Sequence, residues 1–268
     1  MSAAPSLPSY APASIHQFLR AHARGPGVYG VIVGLSGGVD SALAARLARD
    51  SLGAERVMGL LLPDRRYPKA LEEETCEYAR SLGIRSRTVR LERIEEAFQA
   101  TLPEVTDRLA QGNIVARIRM TILYAVAREE HLRVMGTGNK SEILLGYFTK
   151  FGDGGADLLP LGDLYKSQVY ELARGLGLPA SVLDRAPSAG LWEGQTDEAE
   201  LGLPYRDLDR ILRGIEELRS ESEIAERTGV PVDRVKDVIR RVAANRHKRV
   251  ATPIPKLGLR TIGIDWKD

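Results

Sequence analysis

The sequence is poor in cysteine, histidine and aromatic residues, and it has no excess charge of either sign. One cysteine, Cys76, stands among 268 residues, so an internal disulfide and a site with several cysteine ligands are both excluded. A formal net charge of +2 excludes a global electrostatic preference for nucleic acid. No apolar run approaches the roughly 20 residues that span a bilayer, and the N-terminus lacks the pattern of a signal peptide. These absences predict a soluble, non-membrane protein of a reducing compartment, and we expect it to be cytoplasmic.

Short runs of β-branched residues alternate with stretches of helical periodicity over the first half of the chain. Residues 28–35 are apolar almost throughout, which is typical of a strand buried on both faces. The patterns predict further strands at 57–62, 84–89 and 132–136, and helices at 15–23, 41–52, 69–82, 94–102 and 114–130. This alternation predicts an α/β fold, a doubly wound and mostly parallel sheet with helices on both faces. From about Lys166 the pattern is helical, so we expect a C-terminal helical extension and a single domain over residues 1–268.

A glycine-rich turn, here called the glycine loop, follows the first predicted strand. Its residues are Gly34, Leu35, Ser36, Gly37, Gly38, Val39, Asp40 and Ser41. The adjacent glycines let the backbone approach a ligand closely, and the helix N-terminus that follows offers free N–H groups, so the loop suits phosphate. Asp40 adds a carboxylate that would repel phosphate unless a cation such as Mg²⁺ lies between them. The glycine loop therefore predicts a phosphate site with its metal ion.

The residues of the glycine loop, taken alone, are compatible with more than one role. Residues 34–38 also match the G-x-S-x-G nucleophile elbow of hydrolases, with His131 and His247 as candidate bases. The loop follows the first strand, however, which leaves little chain upstream for an oxyanion loop. Two further interpretations are a turn with a purely structural role and a module that binds ATP without consuming it. A Walker A motif is excluded because no Gly-Lys-Ser/Thr sequence follows.

The S-G-G-x-D-S pattern at 36–41 resembles the signature of the N-type ATP pyrophosphatases, which cleave ATP between its α- and β-phosphates. Several further segments resemble the ammonia-dependent NAD synthetases within that family. They are the block 136–166, the N-x-x-A-R-x-R-M helix at 113–120, the loop segments 186–192 and 197–203, and the basic run 247–249. The resemblance spans nearly the whole chain, and it implies the adenine nucleotide alpha hydrolase-like variant of the predicted fold.

The resemblance implies a ligase that amidates deamido-NAD with ammonia through an acyl-adenylate, giving NAD, AMP and pyrophosphate in the final step of NAD biosynthesis. Glutamine-using members carry an additional N-terminal domain with a catalytic cysteine. Because the glycine loop comes early and Cys76 lies on a predicted helix, we expect the donor to be free ammonia or ammonia from a separate protein. The alternative within this class is a member that acts on a different carboxylate. The family also implies a homodimer, with the helix near Ile15 and Phe18 as a candidate interface element.

The resemblance also implies roles for individual residues. Asp40 and Glu142, each in a turn after a strand, are expected to hold Mg²⁺, and Asp40 and Lys166 are expected to be catalytic. The ATP-binding positions are Gly34, Leu35, Ser36, Gly37, Gly38, Val39, Asp40, Ser41, Thr137, Lys166 and Ser188. The positions that match contacts to deamido-NAD are Arg117, Lys150, Asp157, His247 and Lys248.

Several of these residues could instead have a simpler structural role. Glu142 can be a solvated residue near a helix start, and Asp157 can be one of the turn-forming aspartates of a glycine-rich stretch. His247 and Lys248 can complement the negative end of a helix dipole. The polar stretch 186–203 is expected to be a long loop that closes over ATP and the adenylate to exclude water. Trp192 and Trp266 are expected to be packing or lid residues.

Overall fold

The computed structural model of the chain describes residues 4–188, 190, 192, 194–262 and 265. Its sheet has four parallel strands, namely β1 (Gly30–Gly34), β2 (Val57–Leu61), β3 (Arg85–Thr88) and β4 (Leu132–Met135). The first strand begins later than predicted, because Val28 donates a backbone hydrogen bond to the carbonyl of Gly25 at 3.0 Å and so belongs to a tight turn. The parallel α/β sheet expected from the sequence is confirmed.

The helices follow the predicted periodicity, and four of the five helices predicted before β4 begin earlier than expected. They are α1 (Ala11–His22), α2 (Val39–Leu52), α3 (Lys69–Ser81), α4 (Glu92–Thr101), α5 (Arg108–Glu129), α6 (Lys140–Leu145), α7 (Lys166–Gly175), α8 (Ala180–Leu183), α9 (Asp197–Leu201), α10 (Tyr205–Glu216), α11 (Glu221–Thr228), α12 (Val232–Ala244) and α13 (Arg246–Arg249). Helix α5 begins at Arg108 rather than Ile114, because the Asp107 side chain accepts the N–H of Ala110 at 2.7 Å and caps it. Leu109 in its first turn is exposed, so this turn adds no buried apolar position and apolar periodicity alone did not reveal it.

Strand β1 carries apolar side chains on both faces of the sheet. Val31 and Val33 pack in a core that includes residues of α1 and α2, while Ile32 packs in a second core with Val115 and Ile118 of α5. Successive side chains of a strand point to opposite faces, so helices must cover both. The doubly wound arrangement is therefore confirmed.

Helices α10, α11 and α12 pack around a third apolar core. Leu208 and Ile211 of α10 lie in it with Val235 of α12, and it also takes in Leu145 of α6 and Tyr165 at the start of α7. The helical extension is thus packed directly on the segments that follow β4. Within the part of the chain that the structure describes, no helix is long and apolar enough to cross a membrane.

Helix α1 packs its apolar face on α2. Ile15 is 8% exposed and packs in the core beside Leu19 and α2, and Phe18 is half-buried against the same core. The Ile15 side chain is thus covered by its own chain, and a role of α1 as an interface element stays a prediction.

Strands β1 and β4 are neighbours although β2 and β3 come between them in the sequence. The strand order is β3-β2-β1-β4, so the chain adds strands to one side of β1 and then crosses to the other. The turns that follow β1 and β4 therefore lie side by side at the carboxyl ends of these two strands, and the space above them is called the crevice here. Ligands of open α/β sheets bind at such a crevice.

Two glycine substitutions test this packing. A Cβ atom at Gly30 would overlap the backbone carbonyl of Arg56 just before β2, whereas at Gly175 it would meet nothing within 4 Å. We expect Gly30→Ala to lower the free energy of unfolding by about 1–3 kcal/mol. We expect Gly175→Ala, at the end of α7, to raise it by about 0.5–1 kcal/mol. Equilibrium urea unfolding measures both; a wild-type midpoint for Gly30→Ala would contradict the described β1–β2 pairing.

Candidate active site

Three of the predicted residues meet in the crevice between β1 and β4. The Nζ atom of Lys166 donates to Oδ2 of Asp40 at 2.6 Å and to Oε1 of Glu142 at 3.0 Å. Asp40 lies in the first turn of α2, Glu142 in the first turn of α6, and Lys166 is the first residue of α7. The side chain of Lys166 is only 3% exposed. Three helix starts therefore bring one buried ammonium between two carboxylates.

The charges of this group depend on one another. Burial opposes the charged form of Lys166, but Asp40 and Glu142 outweigh this effect and raise its pKa, so the ammonium stays protonated. Burial raises the pKa of Glu142 to about 7; Asp40 adds to the rise, while Lys166 opposes it. A second cation beside Glu142 would therefore favour its ionised form.

The donor set fits a Mg²⁺ ion that is shared with phosphate. Asp40 and Glu142 offer hard carboxylate oxygens from neighbouring strand ends, and Mg²⁺ usually takes one or two carboxylates and completes its shell with phosphate oxygens and water. Among the described residues, no group of three or more His, Cys, Asp or Glu side chains could hold a metal ion. The two carboxylates therefore suit a metal that binds together with a nucleotide.

The glycine loop is shaped by its own hydroxyl groups. The buried Ser41 hydroxyl donates to the carbonyl of Gly38 at 3.0 Å and accepts the backbone N–H of Ser36 at 3.2 Å. Gly37 has a φ of 76°, in the left-handed region that favours glycine. Leu35 and Val39 are buried in the core, so we expect these two positions to offer a ligand only their backbone groups.

The hydrolase interpretation of the glycine loop finds no base in the structure. His131 precedes β4, and its carbonyl accepts the N–H of Tyr29, so it lies at the amino ends of the strands, opposite to Ser36. His247 lies on α13, where its carbonyl accepts a hydrogen bond from Lys150 at 2.8 Å. Within the described part of the chain, Ser36 is hydrogen-bonded only inside the glycine loop.

Four of the five residues expected to contact deamido-NAD come together at α5 and α13. Arg117 donates to the carbonyl of Lys150 at 3.2 Å, and Nζ of Lys150 reaches the carbonyl of His247. Nζ of Lys248 donates to the carbonyls of Gly146 at 2.6 Å and Phe148 at 2.8 Å. Lys248 therefore caps the C-terminal end of α6. The structural role expected of a cation at a helix end is thus present, although the helix is α6. A cavity beside this group is lined by residues that include Phe148, Lys150, Phe151, Lys248 and Thr252.

Asp157 lies apart from that group and forms a hydrogen bond with strand β4. Its Oδ2 accepts the backbone N–H of Val134 at 2.8 Å, and its Oδ1 accepts the hydroxyl proton of Tyr124 at 3.1 Å. The neighbouring Asp153 shapes the turn instead, since its carboxylate accepts the N–H of Thr149 at 2.8 Å. Both aspartates thus have structural partners, and contact of Asp157 with a substrate stays a prediction.

The stretch 186–203 is not a loop throughout. Helix α9 occupies Asp197–Leu201, because Thr196 caps it and acidic residues fill its first turn. Ser188 is exposed, and its hydroxyl accepts the N–H of Gly190 at 3.1 Å. The ring of Trp192 lies 4.4 Å from the guanidinium of Arg108 at the start of α5. Closure of this stretch over a ligand stays a prediction, and Trp266 lies outside the described residues.

The remaining predicted positions have simple surroundings. Thr137 is half-buried in the turn between β4 and α6, beside the crevice. Cys76 is half-buried on α3 and packs against the core of the α1 and α2 face, as expected of a packed thiol.

Comparison with known proteins decides the family. The family model described as NAD synthase matches residues 12–252. The chain belongs to the NAD synthase family. It is 48% identical to the NH(3)-dependent NAD(+) synthetase of Methanosarcina acetivorans over 91% of this chain and 96% of that protein.

Solved structures of family members share the fold. An NH3-dependent NAD synthetase from Campylobacter jejuni has a TM-score of 0.78 and 30% identity, covering 92% of this chain and 97% of that one. An NMN synthetase from Francisella tularensis has the same TM-score and 36% identity, covering 92% and 99%. These similarities confirm the family resemblance and the fold class expected from the motifs.

Sequence reasoning missed Asn139, which links Asp40 and Glu142. The Asn139 amide donates to Oδ1 of Asp40 at 2.8 Å and its carbonyl accepts the N–H of Glu142 at 3.0 Å. Glu142 in turn accepts the N–H of Asn139, which completes a capping box on α6. The N-x-x-E pattern at 139–142 was the signal that could have revealed it. The helix-start role of Glu142 is real, but its carboxylate faces Lys166 rather than solvent.

Sequence reasoning also missed Arg185, which holds the glycine loop from outside. Its guanidinium donates to the carbonyl of Gly37 and, at 2.7 Å, to Glu74 of α3. The N–H and C=O of a trans peptide point in opposite directions, so a carbonyl fixed by Arg185 turns the N–H of Gly38 to the other side of the loop. Arg185 lies 148 residues from Gly37, and no local pattern marks it.

Removal of Arg185 is expected to weaken nucleotide binding selectively. We expect Arg185→Ala to raise KM for ATP about tenfold, roughly the value of one hydrogen bond to a charged group, with little change in KM for the other substrate. Glu74→Ala leaves the arginine in place without its carboxylate partner and is expected to give a smaller effect. Steady-state kinetics with ATP varied measures both; equal KM for ATP in Arg185→Ala and the wild type would contradict this role.

The raised pKa of Glu142 predicts a pH-dependent stability difference. An acid whose folded-state pKa lies above its unfolded value loses its favourable contribution as pH rises from the unfolded pKa, 4.5, to the folded one, about 7. Glutamine cannot ionise, so Glu142→Gln is expected to become more stable relative to the wild type as pH rises from 5 to 8. Urea unfolding without Mg²⁺ or nucleotide at both pH values measures this. A difference that stays constant with pH would contradict the assigned burial of the charge.

Proposed function

We propose that this member of the NAD synthase family amidates deamido-NAD with ammonia and consumes ATP, which leaves as AMP and pyrophosphate. The observation that carries the proposal is the meeting of Asp40, Glu142 and Lys166 beside the glycine loop. This arrangement offers a phosphate cradle, a buried cation and two carboxylates for a metal at one crevice. The choice of substrate is supported by the relatives that are named NH(3)-dependent NAD(+) synthetases.

The chemical need is activation of a carboxylate, which is a poor electrophile. Attack of the nicotinate carboxylate of deamido-NAD on the α-phosphate of ATP gives an acyl-adenylate and releases pyrophosphate. Ammonia then attacks the activated carbonyl carbon, and AMP leaves with the electron pair of the broken bond. The protein's contribution is to position the reactants and to neutralise charge rather than to form a covalent bond with the substrate.

Each residue of the crevice has a role in that scheme. Backbone N–H groups of the glycine loop bind phosphate oxygens at the start of α2, with Thr137 and Ser188 as further ATP contacts. Lys166 stays protonated and compensates the charge that gathers on the leaving pyrophosphate. Asp40 and Glu142 would hold Mg²⁺, which when bound supplies further neutralisation of the phosphates.

The second substrate is assigned to the other group of residues. Lys150 and Lys248 line one cavity, and Arg117 and His247 are each joined to Lys150 by a hydrogen bond. The guanidinium fork of Arg117 suits phosphate and carboxylate geometry. We propose that these four residues bind the dinucleotide, and that Asp157, which lies apart from them against β4, contacts it as well. We further propose that the chain works as a cytoplasmic homodimer and is a single domain.

A second candidate substrate is the mononucleotide with the same reacting carboxylate. The Francisella tularensis relative is named an NMN synthetase, and its identity to this chain is 36%, against 30% for the Campylobacter jejuni NAD synthetase. Nicotinate mononucleotide would then replace deamido-NAD, with unchanged adenylation chemistry.

Release of AMP from Mg-ATP tests the proposal. We expect release to depend on both deamido-NAD and ammonium and to be matched by NAD formation. Release that prefers nicotinate mononucleotide would move the chain to the second candidate. A protein that binds ATP but forms no AMP with either substrate would contradict the ligase and favour a nucleotide sensor.

A matched pair of variants on α2 tests the metal role. We expect Asp40→Asn to lower kcat about 10²–10³-fold, because removal of one group that neutralises charge in the transition state typically costs that much. Asp50→Asn makes the same chemical change on the same helix, where the carboxylate pairs with Arg46 at 2.6 Å near the surface, and should keep the wild-type kcat. Activity retained by Asp40→Asn would remove this residue from the site.

A further inference from the structure

Asp209 of α10 is a fully buried carboxylate that contacts the active-site segments. Its side chain is 0% exposed. Oδ1 accepts the hydroxyl proton of Ser141 at 2.5 Å, and Oδ2 accepts the backbone N–H of Ser167 at 2.8 Å. The Ser141 hydroxyl itself accepts the backbone N–H of Lys166 at 2.9 Å. One carboxylate of the helical extension thus joins the residue before Glu142 to the first two residues of α7.

These contacts cap α7 from outside its own segment. The first N–H groups of a helix have no partner within that helix and need one elsewhere. Tyr165 stands at the N-cap position of α7 and supplies no side-chain capping hydrogen bond. Ser141 and Asp209 accept the N–H groups of Lys166 and Ser167 instead, and a negative charge at a helix N-terminus is favourable.

The cap fixes the backbone position of Lys166 and therefore the position of its Cα atom, from which the side chain extends. Lys166 is the first residue of α7, and its backbone is bound to Ser141, which directly precedes Glu142. A displacement of about 1 Å in such a group can lower the rate about 10²-fold. Both carboxylate oxygens of Asp209 accept hydrogen bonds, and a buried polar network with such pairing is suited to specify one geometry.

We propose that Asp209 is a positioning residue of the reaction, which holds Lys166 in place against Asp40 and Glu142 by capping α7. The proposal rests on the function proposed above, because that function gives Lys166 its task. Asp209 does not touch the reactants. It acts through Ser141 and through the backbone of α7.

A pair of substitutions on α10 in the full-length chain tests this role. Asn at 209 keeps the shape but replaces one accepting oxygen with a donor. We expect Asp209→Asn to lower kcat for deamido-NAD-dependent AMP formation about 10–100-fold, as for other residues that orient a catalytic group, with KM for deamido-NAD unchanged. Asp207→Asn alters a carboxylate of the same helix that pairs with Arg210 at 3.1 Å, and it should keep the wild-type kcat.

A purely structural role gives a different result. It would lower the melting temperature and the folded fraction of Asp209→Asn, but kcat per folded molecule would equal that of the wild type, and this outcome would overturn the proposal. If Asp209→Asn does not fold, Ser141→Ala removes only the linking hydroxyl and is expected to lower kcat in the same way. A wild-type kcat in folded Ser141→Ala would likewise overturn it.

Amide hydrogen exchange separates this proposal from the proposed function, because it needs no substrate. We expect exchange in a peptide covering residues 164–170 to be faster in Asp209→Asn than in the wild type or Asp207→Asn. Unchanged exchange there would refute the positioning role. A wild-type enzyme that forms no AMP with deamido-NAD would refute the proposed function. The exchange result would then still decide whether Asp209 holds the start of α7.

Discussion

The buried ammonium of Lys166 between Asp40 and Glu142 is the interaction on which the rest of the site depends. Each of the three residues comes from the start of a different helix, and two of those helices follow neighbouring strands. A charge so deeply buried is tolerated only when it is paired and hydrogen-bonded. The arrangement therefore requires the strand order that makes β1 and β4 neighbours, and it requires the turns after them to end at defined positions.

The surrounding residues hold Lys166, Asp40 and Glu142 in their relative positions. Asn139 binds Asp40 and caps the helix of Glu142, so it fixes the two carboxylates relative to each other. Arg185 fixes the peptide of Gly37 from the outer side of the glycine loop. The helical extension contributes through its third core, which includes residues from the segments of Glu142 and Lys166. Stability and active-site geometry are thus coupled in this fold, because the same packing serves both.

The sequence predicted the fold well because the signals of a doubly wound sheet are local. A strand that is buried on both faces is apolar throughout, and a helix that is buried on one face has one apolar stripe. The order of these two patterns along the chain therefore indicated the fold class. Motif resemblance also identified Asp40, Glu142 and Lys166. Local patterns failed where the partner is far away in the sequence: the hydrogen bond of Arg185 spans 148 residues, and Ile15 showed the pattern of any apolar helix face without revealing which surface covers it. The first turn of α5 was missed because its leucine, Leu109, is exposed and its cap, Asp107, does not contribute to apolar periodicity.

The most direct test of the account is a crystal structure of the protein with Mn²⁺ in place of Mg²⁺ and an ATP analogue that cannot be cleaved between its α- and β-phosphates. Anomalous scattering locates the metal ion independently of the other density. The account predicts one metal bound by Asp40, Glu142 and phosphate oxygens, with phosphate on the backbone N–H groups of the glycine loop and Lys166 against a phosphate oxygen. A nucleotide whose phosphates lie away from the glycine loop, or a metal bound by neither carboxylate, would contradict it.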